Sequence, residues 1–285
     1  MDVESKYIKN VVDLVPMPGI ALDVLTMAHN VYCDINELVE KIERDPSLTA
    51  NMLRLANSAY YGHPNKINST RTIVVLLGLE TVKLMAISSA SVGMLKSPQE
   101  AYKLEPGELW DHSYATAILA EAIGKYAGCE EMSSLYTAAL LHDVGKVLLN
   151  RPLQLEILKQ DILELGVEDA TYEQRLLNTD HARVGLALLQ GWGLPERITE
   201  PVGIHHSHAE IETSSLHCRI VYLANRLEKN LCLHRGEPIE NPGIDLGQNM
   251  GGEGLPSVPG FSENMKTIVS EAYERYFETA MVFEL

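Results

Sequence analysis

Residues 140–149 read LLHDVGKVLL. Leucine and valine fill both ends of the stretch. His142 and Asp143 stand side by side in its middle, with Lys146 one turn on. A carboxylate inside an apolar helix is costly unless a partner charge or a metal offsets it. Neighbouring residues on a helix point about 100° apart, so both side chains still reach one ion lying over that helix. A divalent metal there offsets the Asp143 charge and fixes the His142 tautomer. Lys146 faces the same cleft and, as a cation, suits a phosphate better than a metal.

Outward from this stretch, helical periodicity dominates. GIALDVLTMAHN (19–30) predicts a first helix. Asp34, with Glu37 three residues on, predicts a capped start to the next. Asp45 caps a third, with Pro46 at its first position and a stop at Gly62. TRTIVVLLGLETVKLMAISSASVGML (70–95) is apolar nearly all round and is expected to be deeply buried. Residues 98–107 read as a joint. Helices are expected near 108–128, 131–149, 152–166, 171–190, 195–206 and 213–235. Residues 236–262 are rich in Gly and Pro and aperiodic, which predicts a loop or linker. A last helix over 263–280 carries Met265, Ile268, Val269, Ala272, Tyr273 and Tyr276 on one stripe, for core packing or a dimer contact. No strand-length stretch alternates with period two, so the fold class is all-α.

The chain has 285 residues, 46% hydrophobic and 22% charged, with a formal net charge of −16. That balance repels phosphate backbones and anionic lipid, and the Lys and Arg are scattered, so no nucleic acid and no membrane partner is expected. Cys33, Cys129, Cys218 and Cys232 form no CxxC pair and read as reduced thiols. The first residues show no signal-peptide pattern and no apolar run reaches membrane-spanning length, so a cytoplasmic location is expected.

The ten histidines are not spread evenly. His142 lies in an apolar helix, His112 follows Trp110 and leads SYATAILAEAIG, His181 leads ARVGLALLQGWG, and His205 and His206 end the helix that starts at Pro195. Glu108 and His112, four apart, share one helix face. A lone histidine on an apolar face is commonly a satisfied core residue, and His29, His63, His208, His217 and His234 take that reading or plain exposure. An Asp beside a His can be a structural hydrogen bond. The metal reading rests on the conjunction. An imidazole and carboxylate set without thiolate suits Fe, Mn, Zn or Ni over Mg or Ca.

HDxGK at 142–146, preceded by a helix with His112, resembles the HD superfamily of metal-dependent phosphohydrolases. LVPMPGIALDVL, VEKIERDPSLTANMLRLANSAYYG, INSTRTIVVLLGLETVKLMAIS and ELWDHSYATAILAEAIG resemble a narrower family, the HDOD output domains of bacterial signalling. The resemblance covers roughly 8–235. It implies an N-terminal helical lobe over 8–105 packed on an HD-like metal-binding lobe over 106–235. Residues 236–285, a linker and a C-terminal helix, fall outside it. Many HDOD proteins have lost the HD ligands and act as signalling or scaffolding modules, whereas this chain keeps them. By comparison with the HD-GYP phosphodiesterases, the resemblance implies a metal set of Glu108, His112, His142, Asp143, His181, His205 and His206, with Asp143 bridging two ions. Lys146 contacts substrate phosphate, and Asp143 and Lys146 carry any catalysis. In IVYLANRL, Asn225 stands where the superfamily has its last Asp ligand, and no GYP loop follows the histidine pair.

Three readings stand side by side. The first is a bacterial signal-transduction module with a retained site for divalent transition metal, two ions with iron first, acting by ligand or partner binding. A nucleotide or phosphate ligand, a signalling protein partner and a homodimer are its expected partners. The second is a metal-dependent phosphohydrolase on a nucleotide or cyclic dinucleotide, in which the ions lower the pKa of a bridging water. The third is redox or gas sensing at a diiron-type site.

Overall fold

A computed structural model of the chain describes residues 19–28, 34–57, 66–160, 169–232 and 255–283. Among the described residues all regular elements are helical, apart from one isolated bridge between Gln99 and Leu104. The fold is all-α. His29, His63, His234, Cys33, the stop at Gly62 and most of the Gly/Pro-rich stretch lie outside the described residues.

The chain divides into two compact units, one within Pro16–Met94 and one within Leu95–Leu285. The division falls ahead of the boundary expected at 105/106, and the stretch 98–107 belongs wholly to the second unit.

The first unit holds α1 (Gly19–Ala28), α2 (Ile35–Glu43), α3 (Pro46–Ala56) and α4 (Thr70–Leu95), which runs to the division. Asp34 Oδ1 accepts from the Asn36 amide at 2.8 Å, and Asp45 Oδ1 accepts from the Leu48 amide at 3.0 Å. These bonds satisfy first-turn N–H groups that have no intrahelical partner. Leu38, Ile42 and Met52 are fully buried, each contributing about 1.5–3 kcal/mol. The uniform burial expected of α4 is not found. Gly78, at φ +78°, breaks the helix in a backbone region open to glycine. Beyond the break Val82, Met85, Ala86 and Ile87 are buried. Before it Val75 is 66% exposed and Leu76 52%.

The second unit begins with a 3-10 turn (Glu100–Tyr102), then α5 (Glu108–Ala127), α6 (Met132–Leu141), α7 (Val144–Gln160), α8 (Asp169–Leu177), α9 (His181–Gly191), α10 (Glu196–Ile204), α11 (His208–Ile211), α12 (Leu216–Leu231) and α13 (Phe261–Phe283). Two expected helices are each two. The helix over 131–149 breaks at His142–Asp143, and its second half runs through Pro152 rather than stopping there. The helix over 171–190 breaks where Asn178 takes φ +57° and Asp180 Oδ1 caps α9 by accepting from the Arg183 amide at 2.9 Å. That over 213–235 is the single helix α12, with Ser215 as its cap.

α5 is the central helix, apolar on nearly every face, and it packs on α6, α12 and α13. α9 packs on α7 and α10, and α10 packs in turn on α6 and α12. The apolar stripe of α13 is core packing within this unit: Ile268, Val269, Ala272 and Tyr276 are buried, and the Tyr276 ring lies 5.9 Å from that of Tyr114. Cys129 and Cys218 are free thiols.

Two ion pairs join α13 to α5, Lys125 with Glu271 at the surface and Arg275 with Glu121 inside. Arg275 Nη2 donates to Glu121 Oε2 at 2.7 Å, and Glu121 is 1% exposed. Burial pushes the Glu121 carboxyl up to about 7 even against the pull of Arg275. A raised carboxyl pKa costs stability as pH climbs through it, because the fold must then hold a buried charge. The substitution Arg275→Met is expected to destabilise the chain by roughly 3 kcal/mol above pH 7, where Glu121 has lost its counter-charge. Below pH 7 the loss should be smaller, since the carboxyl is then protonated in both proteins. Equal loss of Tm at about pH 6 and about pH 8 would contradict this reading.

Candidate metal centre

The helix break at 142–143 builds the site. With α6 ended and α7 not yet begun, His142 and Asp143 occupy a tight turn in which both are fully buried. The turn is held because His142 Nδ1 donates to Ala139 O at 2.7 Å. Gly145 then brings a second element in. A Cβ at Gly145 would stand 2.0 Å from His181 O and 2.9 Å from the Gly185 amide nitrogen. Only a residue without a side chain lets the start of α7 touch the start of α9 backbone to backbone, and this contact delivers His181 to Asp143.

Around Asp143 the imidazoles form two groups, one for each carboxylate oxygen. His181 Nε2 lies 3.1 Å from Oδ1 and His205 Nε2 3.5 Å. His206 Nε2 is 3.0 Å from His181 Nε2. On the other side, His142 Nε2 lies 3.5 Å and His112 Nε2 3.6 Å from Oδ2, with the two nitrogens 3.3 Å apart. Lys146 Nζ also reaches Oδ2, at 2.9 Å. Asp143, His181, His205 and His206 form one set of converging ligand atoms, and His112, His142 and Asp143 form another.

The far nitrogens are fixed. His205 Nδ1 donates to Val202 O at 2.7 Å, and His181 Nδ1 to Glu173 Oε2 at 2.7 Å. His112 Nδ1 pairs with Glu228 Oε2. With Nδ1 carrying the proton, the Nε2 of each neutral ring presents a lone pair inward. The lone pairs of His112 and His142 face one another at 3.3 Å and repel unless a cation stands between them.

The charges follow from burial and neighbours. Burial drives His142 well below its ordinary value, against the attraction of Asp143. Burial likewise lowers His205, and lowers His206 well below its ordinary value, with the neighbouring imidazoles adding to it. Burial alone would raise the Asp143 carboxyl. Lys146, His142, His181 and His205 together hold it well below the usual range. His181 is the exception among the rings. Burial lowers it, but Glu173 and Asp143 outweigh burial and bring it up to about 9. In the metal-free chain His181 is therefore an imidazolium, paired with Asp143 Oδ1 at 3.1 Å. A divalent cation fits at Asp143 Oδ1, a buried oxygen that accepts no hydrogen bond among the described residues, since it satisfies that oxygen and takes the converging Nε2 atoms as ligands.

The structure brings together seven residues singled out in the sequence: His112, His142, Asp143, Lys146, His181, His205 and His206. Asn225 lies beside them, 2% exposed. Its Oδ1 has no hydrogen-bond partner among the described residues, and it borders a cavity of about 220 Å³ with His205, His206, Arg226 and Lys229. Glu108 joins neither set of converging ligand atoms among the described residues, although it borders the cavity on the Oδ2 side. Its Oε2 accepts from the Glu105 amide at 2.8 Å, at the start of α5, and the carboxylate that meets His112 is Glu228. Sequence reasoning missed Glu228, although a glutamate three residues after Asn225 on the buried stripe of α12 was a signal. It also missed Glu173, which precedes the helix break by one turn and carries no such mark. A second cavity, of about 260 Å³, opens on the Oδ2 side and is bordered by Tyr102, His112, Asp143, Lys146, Glu228 and Lys229.

The family model described as HDOD domain matches residues 14–208. A protein of Treponema pallidum (strain Nichols) is 26% identical over 209 residues, which is 72% of this chain and 40% of the relative. The chain thus spans less than half the length of that curated relative. Among solved structures, a candidate phosphohydrolase of Shewanella amazonensis SB2B has a TM-score of 0.70 at 21% identity, covering 96% of this chain and 98% of its own. A candidate metal-dependent phosphohydrolase of the same organism has a TM-score of 0.69 at 17% identity, over 96% and 98%. At these identities the structural likeness speaks for the fold.

The Gly145 contact makes a sharp demand. A methyl 2.0 Å from a backbone oxygen must push α9 away from α7. Gly145→Ala is expected to cost about 3 kcal/mol of stability and to abolish metal binding by the His181 group. A variant with unchanged Tm and unchanged metal affinity would show that the close approach is not what assembles the site.

Proposed function

This chain belongs to the HDOD family, and we propose that it is a signal-transduction module whose HD-type cleft holds divalent transition metal and works by binding a ligand or partner. One observation carries the reading: imidazole Nε2 atoms converge on both oxygens of a buried carboxylate while their Nδ1 atoms are held from behind. Fe, Mn, Zn and Ni match that donor set, and one ion for each Asp143 oxygen gives a pair. An ion bound there supplies Lewis-acid charge to the cleft.

The chain's own residues do the rest. Glu173 and Glu228 orient His181 and His112. Lys146 and Lys229 border the 260 Å³ cleft together with Glu108, Asp143 and Glu228, so a phosphate or nucleotide ligand is drawn there by bound metal with these two ammonium groups beside it. A cytoplasmic location, a signalling protein partner and a homodimer belong to this proposal. Binding without turnover is favoured by Asn225, a neutral amide on the rim of the cluster.

A second reading, a metal-dependent phosphohydrolase, draws on the two Shewanella structures and on the way Asp143 offers one oxygen to each imidazole group. The two readings separate by experiment on the metal-loaded chain. Inorganic phosphate should bind in calorimetry, and Lys146→Gln should weaken it about tenfold. Bis(p-nitrophenyl) phosphate should be hydrolysed no faster than by Asp143→Asn. Turnover that is lost in Asp143→Asn would replace the binding module with the hydrolase.

A further inference from the structure

We infer that Tyr102, outside both imidazole groups, is a positioning residue for the metal centre, acting through Glu173 on His181. The inference rests on the metal-centre reading above.

Tyr102 closes a ring of contacts around Asp143. Asp143 Oδ2 pairs with Lys146 Nζ at 2.9 Å, and that ammonium sits 5.6 Å from the centroid of the Tyr102 ring, within cation–π range. The Tyr102 hydroxyl donates to Glu173 Oε1. Glu173 Oε2 accepts from both the His181 amide and His181 Nδ1, each at 2.7 Å, and His181 Nε2 returns to Asp143 Oδ1 at 3.1 Å. Glu173 is fully buried. Both of its oxygens face His181 Nδ1, Oε1 at 3.0 Å, and Oε1 is the one that the Tyr102 hydroxyl also holds. The phenol therefore sets the plane of the carboxylate that sets the plane of the imidazole.

The phenol is itself held. Its ring packs against the cluster of Ala101, Leu153 and Tyr172, which joins the 3-10 turn to α7 and α8. The turn is fastened to α7 by Asn150, whose Oδ1 accepts from the Ala101 amide at 2.9 Å and whose Nδ2 donates to Glu100 Oε2 at 2.9 Å. Lys103, next in sequence, keeps φ +56°, a conformation that a residue other than glycine holds only when its surroundings impose it. A turn this constrained delivers one side chain to one place, and what it delivers is the Tyr102 hydroxyl.

The test is a cobalt(II) titration of the full chain, followed by visible absorption, for the wild type, Tyr102→Phe, Glu173→Gln and the double variant, with Tm measured for each. Tyr102→Phe keeps the ring and removes the hydroxyl. It should bind cobalt about tenfold more weakly, with an altered ligand-field spectrum and nearly unchanged Tm. The double variant should be no weaker than Glu173→Gln alone, because the two residues act in series. Wild-type affinity in Tyr102→Phe would overturn the inference. So would losses that multiply in the double variant, or a fall in Tm large enough to account for the lost binding. A wild type that takes up no cobalt would overturn the metal reading and this inference together, so the two failures are distinguishable.

Discussion

Asp143 carries a charge in a place that water does not reach, and the second unit is organised around that fact. A buried carboxylate survives only where cations and hydrogen-bond donors surround it. Here Lys146 takes one oxygen, and imidazoles from four separate segments close on both. Those segments are the start of α5, the α6–α7 break, the start of α9 and the end of α10. None is near another in sequence. The carboxylate is the reason they must meet, and it gives the unit a polar centre inside an otherwise apolar core.

Meeting requires geometry that apolar packing alone does not give. The helix break frees His142 and Asp143 from the spacing of a continuous helix, so both aim at one place. Gly145 and Gly185 let α7 and α9 approach at backbone distance, tighter than any pair of side chains allows. Behind the imidazoles stands a layer of acceptors: Ala139 O, Val202 O, Glu173 and Glu228. That layer fixes which nitrogen faces inward. A second layer of this kind is characteristic of a site that must present lone pairs in advance of its ligand.

Much of this was legible in the sequence, for identifiable reasons. Helical periodicity and the Asp34 and Asp45 caps are local signals, and they gave the helical class and the starts of α2 and α3. The His–Asp pair stood out because charge in an apolar run is costly, and the histidines at helix ends shared that logic. What escaped was non-local. A helix break inside LLHDVGKVLL leaves no mark, since the stretch is as helical in composition on one side as on the other. Asn178 and Asp180 interrupt the next helix by a left-handed residue and a cap that periodicity does not weigh. Glu108 looked right by spacing from His112, but the start of α5 turns its carboxylate to a backbone amide. Glu228 lies 116 residues away in sequence and supplies the partner instead. Tyr102 and Glu173 acquire roles only through contacts that the fold creates.

The central claim is that the carboxylate and its imidazoles hold metal. The direct measurement is the metal content, by mass spectrometry, of protein purified without chelator or metal-affinity columns, beside that of a His142→Ala, Asp143→Ala double variant. The account predicts at least one ion of Fe, Mn, Zn or Ni per chain in the native protein and its loss in the variant. Sub-stoichiometric metal, unchanged by the double substitution, would contradict it and leave Asp143 held by Lys146 and an imidazolium alone.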